Sequence, residues 1–288
     1  MNAKKIILIV FFIALIAIGV IGITKCGDAK ASVADITAGE ELPADSGDSG
    51  APESGLCHYQ DLDHALISDG RRSIEKEYEG FRVSYNPVTK NPDWVAWELL
   101  GTETVGSATR TNKFWHDDEL EGCSYNSDYS RSGFDRGHMC PAADQKWSEK
   151  AMNDCFVMAN MCPQDHALNT GAWNTLENKE RIWAKRDSAI VIIAGPIFER
   201  QDTAAIGQSK VKVPGAFYKV IIAPYLEEPR GIAFIFPNMT SPGNMEQYVT
   251  TIDEVEKITG IDFFHNLPDE IEDRIESISS FRDWNRRK

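Results

Sequence analysis

Between Phe81 and Phe236 the apolar positions fall into short blocks closed by turn residues. Phe81-Arg82-Val83-Ser84-Tyr85 alternates and stops at Asn86-Pro87, as a half-buried strand does. Asp93–Leu100, rich in Trp and Val, predicts a second strand. Three more blocks follow: Ala189–Ala194 ending at Gly195-Pro196, Ala216–Ala223 ending at Pro224, and Gly231–Phe236 ending at Pro237. They are apolar almost throughout, which predicts central strands of a sheet covered on both faces.

Helical spacing appears in three places. Ser148–Cys155 predicts a short helix, followed by the apolar segment Phe156–Ala159. A longer helix is expected from Asn169 or Thr170 to about Lys185, with Ala172, Leu176 and Trp183 as its apolar stripe. Beside that stripe, Asn169, Trp173, Glu177 and Arg181 follow one another at i+4. Asn244–Gly260 predicts a third helix, with Val249, Ile252, Val255 and Ile258 at helical spacing and Gly260 as its stop. Gly101–Ser130 is polar and irregular. Helices and strands mix without strict alternation, so an α+β fold is expected rather than a doubly wound sheet.

The N-terminus has a different pattern. Lys4 and Lys5 precede 18 uncharged, mostly apolar residues, Ile6–Ile23. At about 1.5 Å per residue a helix of that length just crosses a hydrocarbon core of roughly 30 Å. The leading positive charge favours a cytoplasmic N-terminus and export of the rest. Residues 1–31 are therefore expected to be a signal peptide, cleaved after Ala29-Lys30-Ala31, or an uncleaved anchor held in the membrane by residues 6–23. Lys25 before Cys26 argues against a lipidation site. Residues 32–56, within a tract rich in Ala, Gly, Ser and acidic residues, are expected to be a flexible acidic linker. One folded domain is expected over 57–288.

A hydrophobic share of 42% and seven Trp suffice for a packed core. The formal charge of −14 excludes indiscriminate electrostatic binding to nucleic acid or anionic membranes. That average hides an asymmetry, because Arg131–Arg186 holds eight basic and seven acidic residues, a net of +1. Six cysteines (26, 57, 123, 140, 155 and 162) in an exported chain make disulfides expected, with one pinning the loop after His138 favoured over zinc at Cys162 and His166.

The chemistry concentrates in the same segment. Asp135, Arg136, Gly137 and His138 are consecutive, Asn160, Gln164 and Asn169 follow, and Glu177 and Arg181 lie one helical turn apart. A neutral imidazole is the natural base near pH 7, and a guanidinium grips phosphate in a forked geometry. Phosphodiester hydrolysis also needs positive charge on the non-bridging and leaving oxygens, which a divalent cation supplies. Magnesium needs few protein oxygens, so Asn169 with Glu177 is a sufficient kind of ligand set. Taken singly, Asn169 reads as a helix cap, and Glu177 with Arg181 as a surface ion pair worth a few tenths of a kcal/mol.

Asp135-Arg136-Gly137-His138, Asn160-Met161-Cys162-Pro163-Gln164, Leu168-Asn169 and Trp173 through Glu177 together resemble the DNA/RNA non-specific endonuclease family, which includes secreted bacterial nucleases and the endonuclease G type. Ser84-Tyr85-Asn86, Trp94-Val95-Ala96, Gly195-Pro196-Ile197-Phe198, Val213-Pro214, Phe217–Val220 and Thr259–Phe264 extend the likeness over about Phe81 to Ser277. The resemblance implies a ββα-metal (His-metal finger) core on a central, mainly antiparallel sheet flanked by helices. It implies His138 as general base, Asn169 as the direct ligand of Mg2+ (with Mn2+ able to substitute), and Glu177 acting on the metal through water. Arg136 would hold the phosphate, assisted by Arg181 and Arg110. Asn160, Gln164 and Asp135 would support the site, Asp135 structurally. The expected function is an exported or membrane-tethered, Mg-dependent nuclease of DNA, RNA or both. The alternatives are an inactive surface nucleic-acid-binding protein and a phosphodiesterase of small nucleotides. A homodimer and an inhibitor protein are left open.

Overall fold

A computed structural model of the chain describes residues 59–198, 204–239 and 245–286. The expected leader and linker, with Cys26 and Cys57, lie outside the described residues.

The strands are β1 (Ala65–Ile67), β2 (Ile74–Tyr78), β3 (Phe81–Asn86), β4 (Asn91–Leu100), β5 (Asp135–His138), β6 (Met161–Gln164), β7 (Ala189–Ile197), β8 (Ala205–Ile206), β9 (Val211–Lys212), β10 (Ala216–Ala223), β11 (Arg230–Pro237), β12 (Val249–Thr250) and β13 (Ile261–Phe263). Seven of them form one sheet in the order β12-β11-β10-β7-β4-β3-β2, antiparallel at every pairing. The expected α+β class and mainly antiparallel sheet are therefore present. The apolar blocks take the centre: β7 lies between β4 and β10, with Trp97 opposite Ile192 and Ile192 opposite Ile221.

Because successive side chains of a strand point to opposite faces, the sheet separates two cores. Trp97, Ile192, Ile221 and Ile232 face one core; Ala96, Ile193, Val220 and Ala233 face the other. The helices are α1 (Glu149–Asp154), α2 (His166–Leu168), α3 (Asn174–Asp187), α4 (Ile252–Thr259), α5 (Asp269–Glu276) and α6 (Phe281–Asn285). Leu176, Trp183 and Ala184 of α3 pack into the first core, and Ile252 and Val255 of α4 with Ile275 of α5 into the second. Among the described residues no helix is long and apolar enough to cross a membrane.

Three boundaries differ from the sequence reading. β7 runs through Gly195-Pro196 to Ile197. A side chain at Gly195 would collide with the Asp93 carbonyl and the Tyr218 hydroxyl, which are hydrogen-bonded to each other at 2.9 Å, so the glycine keeps the strand in register. The third helix is shorter than expected. Val249 and Thr250 extend as β12 against β11, and Thr251 caps α4 by accepting from the Glu254 N–H at 3.2 Å. The β-branched Val-Thr-Thr run prefers that extended entry and cap. Gly260 ends the helix as expected, while Ile258 is exposed. Finally, the long helix is not continuous. A π-helical turn at Asn169–Trp173, with a non-helical Gly171, precedes α3.

Candidate active site

The site begins with the β5–β6 hairpin, in which Asp135 pairs with Gln164, Gly137 with Cys162 and His138 with Met161. Any side chain at Gly137 would collide with the fully buried Gln164, so glycine is required for Gln164 to lie across β5. Asn160 secures the next residues. Its Oδ1 accepts from the Cys140 N–H, and its Nδ2 donates to the carbonyls of Cys140 and Cys155, all at 2.9 Å. Asn160 thus fixes the backbone just beyond His138 and makes no hydrogen bond to its ring.

His138 is 8% exposed and wedged edge-on against Phe156, ring centres 5.0 Å apart, with Phe114 at 5.8 Å. Nε2 is buried without a hydrogen-bond partner. This arrangement leaves the Nε2 lone pair available. Burial first, and the Arg110 charge second, push the imidazole down to about 3, so it stays neutral at physiological pH.

Arg136 and His138 share the same side of β5 and the same aromatic neighbour, the Arg136 guanidinium lying 5.3 Å from the Phe114 ring centre. Its Nε donates to Asn126 Oδ1 and its Nη2 to the Asn126 carbonyl at 2.9 Å. Arg110 is exposed, stacks 5.0 Å over the other aromatic neighbour of His138, Phe156, and donates to Asn112 at 2.7 Å. Phe114 and Phe156 meet edge to face at 5.1 Å, so two guanidiniums and the unpaired imidazole surround one aromatic pair.

On the helical side, Asp165 caps α2 by accepting from the Ala167 and Leu168 N–H groups. Asn169 is then carried on the widened turn. Its Nδ2 donates to Asp135 Oδ2 at 2.9 Å, the oxygen that also pairs with His166 Nδ1 at 2.8 Å. The other end of the amide, the carbonyl Oδ1, makes no hydrogen bond among the described residues. A second tie joins the same elements, Trp173 Nε1 donating to the His138 carbonyl at 3.3 Å. The structure therefore gives Asp135 a more specific task than general support: it sets the direction of the Asn169 amide.

Glu177 is buried at 9% exposure. Arg181 does not form the surface pair with it that the i+4 spacing suggests. Its Nη1 donates to the buried Asp144 at 2.7 Å, its Nη2 to Asn178 at 2.9 Å. Lys219 and Glu180, both fully buried, pair at 2.9 Å beneath Trp173, whose ring centre is 4.6 Å from the ammonium. Three carboxylates (Asp144, Glu177, Glu180) thus face two cations (Lys219, Arg181). Burial, with Glu180 and Asp144 adding to it against the pull of Lys219 and Arg181, lifts the Glu177 carboxyl to about 7. Asp144, Glu180 and Asn126 carry no motif signal of their own, and Lys219, though inside the Phe217–Val220 landmark, was not singled out; each was legible as part of the site only once the fold brought it there.

The cysteines correct an expectation. Among the described residues, Cys123, Cys140, Cys155 and Cys162 are buried free thiols, and no disulfide between them pins the loop after His138. Cys140 Sγ accepts from Gln145 Nε2 at 3.1 Å and Cys155 Sγ donates to the Met152 carbonyl at 3.1 Å. Asn160 does the pinning instead. Cys162 is fully buried in the core whereas His166 is exposed beside Asp135, so the two do not share a metal.

A two-stranded hairpin followed by a helix, with the histidine on the first strand and the asparagine at the helix entrance, is the ββα-metal arrangement. The chain belongs to the DNA/RNA non-specific endonuclease family, whose pattern it matches over residues 65–270. It is 35% identical over 211 residues to the mitochondrial nuclease EXOG of Xenopus laevis, covering 67% of this chain and 58% of that protein. With human mitochondrial endonuclease G it shares 32% over 210 residues (67% and 70% covered), and with a nuclease of Nostoc sp. 32% over 230 residues (74% and 80%). A solved EndoG–EndoGI complex matches with a TM-score of 0.63 at 27% identity, over 67% of this chain and 86% of that one. The chain therefore spans little more than half the length of the frog relative.

Proposed function

We propose that the protein hydrolyses phosphodiester bonds of DNA, RNA or both, with little sequence preference and with magnesium as its metal. The observation that carries this reading is the unpartnered Nε2 of His138, held beside Arg136 and Arg110 on a hairpin tied to the Asn169 turn. The residues fit a hard cation. Asn169 presents a carbonyl oxygen fixed by Asp135, and the carboxylates around Glu177 outnumber the cations. Asn169 would hold the ion directly and Glu177 would act on it through water. Manganese, with the same taste for oxygen, would substitute.

When bound, the metal supplies positive charge for the non-bridging and leaving oxygens. The protein's own residues do the rest. His138 Nε2 accepts the proton of the attacking water. Arg136 turns its guanidinium to a phosphate oxygen, and Arg110 pairs with the same or a neighbouring phosphate. A phosphate so bound cancels the Arg110 charge that depresses His138, which raises the basicity of Nε2 when substrate is present. Arg181, engaged by Asp144, positions the Glu177 helix and balances its charge rather than gripping substrate. The local charge of +1 over Arg131–Arg186 keeps the acidic remainder of the chain from repelling a polyanion at this point.

Export, with residues 6–23 cleaved or retained as a membrane anchor, completes the proposal and rests on the basic leader and apolar run. Incubating the purified chain with plasmid and with RNA, with and without magnesium, tests the activity. Cleavage that requires the metal and disappears in His138→Ala is expected; intact polymers under every divalent cation would refute it.

A further inference from the structure

On the opposite side of the sheet from His138, three carboxylates from two helices converge. Asp253 and Glu256 lie one turn apart on α4, and Glu276 is the last residue of α5. One oxygen of each lies within 4.8 Å of the others. Asp253 is exposed, Glu256 half-buried and Glu276 only 6% exposed. Two features set this cluster apart from an ordinary acidic surface. First, Glu276 Oε1 is buried without any hydrogen-bond partner, an arrangement that is costly unless something binds it. Second, the four charges that act most strongly on Glu276 are all negative: Glu256, Glu272, Asp253 and Asp262. Burial and these neighbours raise Glu276 to about 9 and Glu256 to about 7. One Glu256 oxygen is already engaged, accepting from the Phe263 N–H at 2.8 Å, which aims the carboxylate between the two helices.

We propose that Asp253, Glu256 and Glu276 form a second divalent-cation site, for calcium, that staples α5 to α4. Calcium binds carboxylate oxygens at about 2.3–2.6 Å in flexible geometry, so oxygens this close together can share one ion. Magnesium, which demands near-ideal octahedra and parts reluctantly with its waters, suits three converging carboxylates less well. The site is structural. α5 packs along β11, where the Ile275 carbonyl would meet any side chain placed at Gly231. Holding Glu276 therefore holds the C-terminal helices to the sheet, away from the nuclease chemistry. The inference stands on the α4–α5 geometry alone and does not rest on the proposed function.

The test uses the full chain and calcium alone. To remove the other metal site, calcium is titrated into Asn169→Ala by calorimetry and by thermal unfolding. One saturable site with a dissociation constant of about 10⁻⁵–10⁻³ M is expected. At 100 times that concentration Tm should rise by about 5–10 °C. Adding Asp253→Asn, at an exposed position that leaves the core untouched, or Glu276→Gln, close in shape to the protonated carboxyl, should abolish both the heat and the Tm shift. Nuclease turnover in Asp253→Asn on the otherwise native chain should stay within twofold of the parent. Calcium binding that survives both substitutions, or no saturable binding in Asn169→Ala, would overturn the proposal. A Tm that rises on acidification but not with calcium would mean that the cluster shares a proton instead.

Discussion

Asp135 and Asn169, 34 residues apart in sequence, are joined by one hydrogen bond of 2.9 Å from the asparagine amide to the aspartate. The bond selects which end of the Asn169 amide faces the site, since the nitrogen is spent on Asp135 and the oxygen is left over. Groups that orient a metal ligand commonly matter to metal affinity by about 10–100-fold. Asp135→Ala should therefore raise the magnesium concentration needed for half-maximal activity by about that factor while leaving circular dichroism unchanged. A metal-dependence curve identical to the parent's would show that Asn169 needs no guide.

His138→Ala should lower turnover by about 10²–10⁴-fold, the range for a positioned base. The buried imidazole also has a consequence for stability. Its folded value of about 3 lies below the ordinary 6.5, so between those two pH values the unfolded chain binds more protons than the folded one. Stability contributed by the neutral ring is thus present above pH 6.5 and is lost as pH falls toward 3. Denaturant titrations at stepped pH should show this slope, on the order of 5 kcal/mol across the window, and His138→Gln should flatten it.

For Glu177 the sign is opposite. Its carboxyl is raised from 4.5 to about 7, so the folded, metal-free chain binds more protons in that window and loses stability as pH rises through it. Glu177→Gln should stabilise the metal-free protein by about 1–3 kcal/mol at pH 8 and leave its stability unchanged at pH 4. The same substitution should remove activity. Urea midpoints at the two pH values, measured in chelator, separate the two effects.

Arg136 meets phosphate rather than base edges in the proposed mechanism. Arg136→Ala should weaken substrate binding uniformly across sequences and reduce the slope of log affinity against log salt by about 0.7–0.9. A loss confined to particular sequences would argue for base contacts instead.

Asp144 anchors Arg181 from a fully buried position. Asp144→Ala leaves that guanidinium without its partner and should cost about 3–5 kcal/mol, as removal of one member of a buried pair does. Thermal unfolding of the variant, compared with Asp144→Ala/Arg181→Met, would show recovery in the double variant if the unpaired charge is the cause.

How much of this could be read from sequence differed by element. β4, β7, β10 and β11 were visible because strands buried on both faces must be apolar nearly throughout. β2, with Glu-Lys-Glu at its centre, was not, because an edge strand carries no such demand. The hairpin at Asp135 carries no apolar period; the sequence showed its site residues, and only the family resemblance implied the ββα core that holds them. Asn169, Glu177 and His138 could be singled out as residue types; the amide direction set by Asp135, the Arg181–Asp144 pair and the Lys219–Glu180 pair depend on contacts 34, 37 and 39 residues apart. The disulfide expectation failed for a related reason: compartment chemistry says whether thiols can oxidise, whereas the packing of Cys140 and Cys155 decides whether they meet.

The irregular turn at Asn169–Trp173 behaves as a one-residue insertion in a helix. Each residue of an α-helix turns the chain by about 100°, so deleting Gly171 would join α2 and α3 into a longer, more regular rod and swing Asn169 about a quarter-turn around it. The straight version would have better backbone geometry and no reason to keep Asn169 beside Asp135. Shortening this turn should thus leave a chain that still folds but no longer holds Asn169 against Asp135.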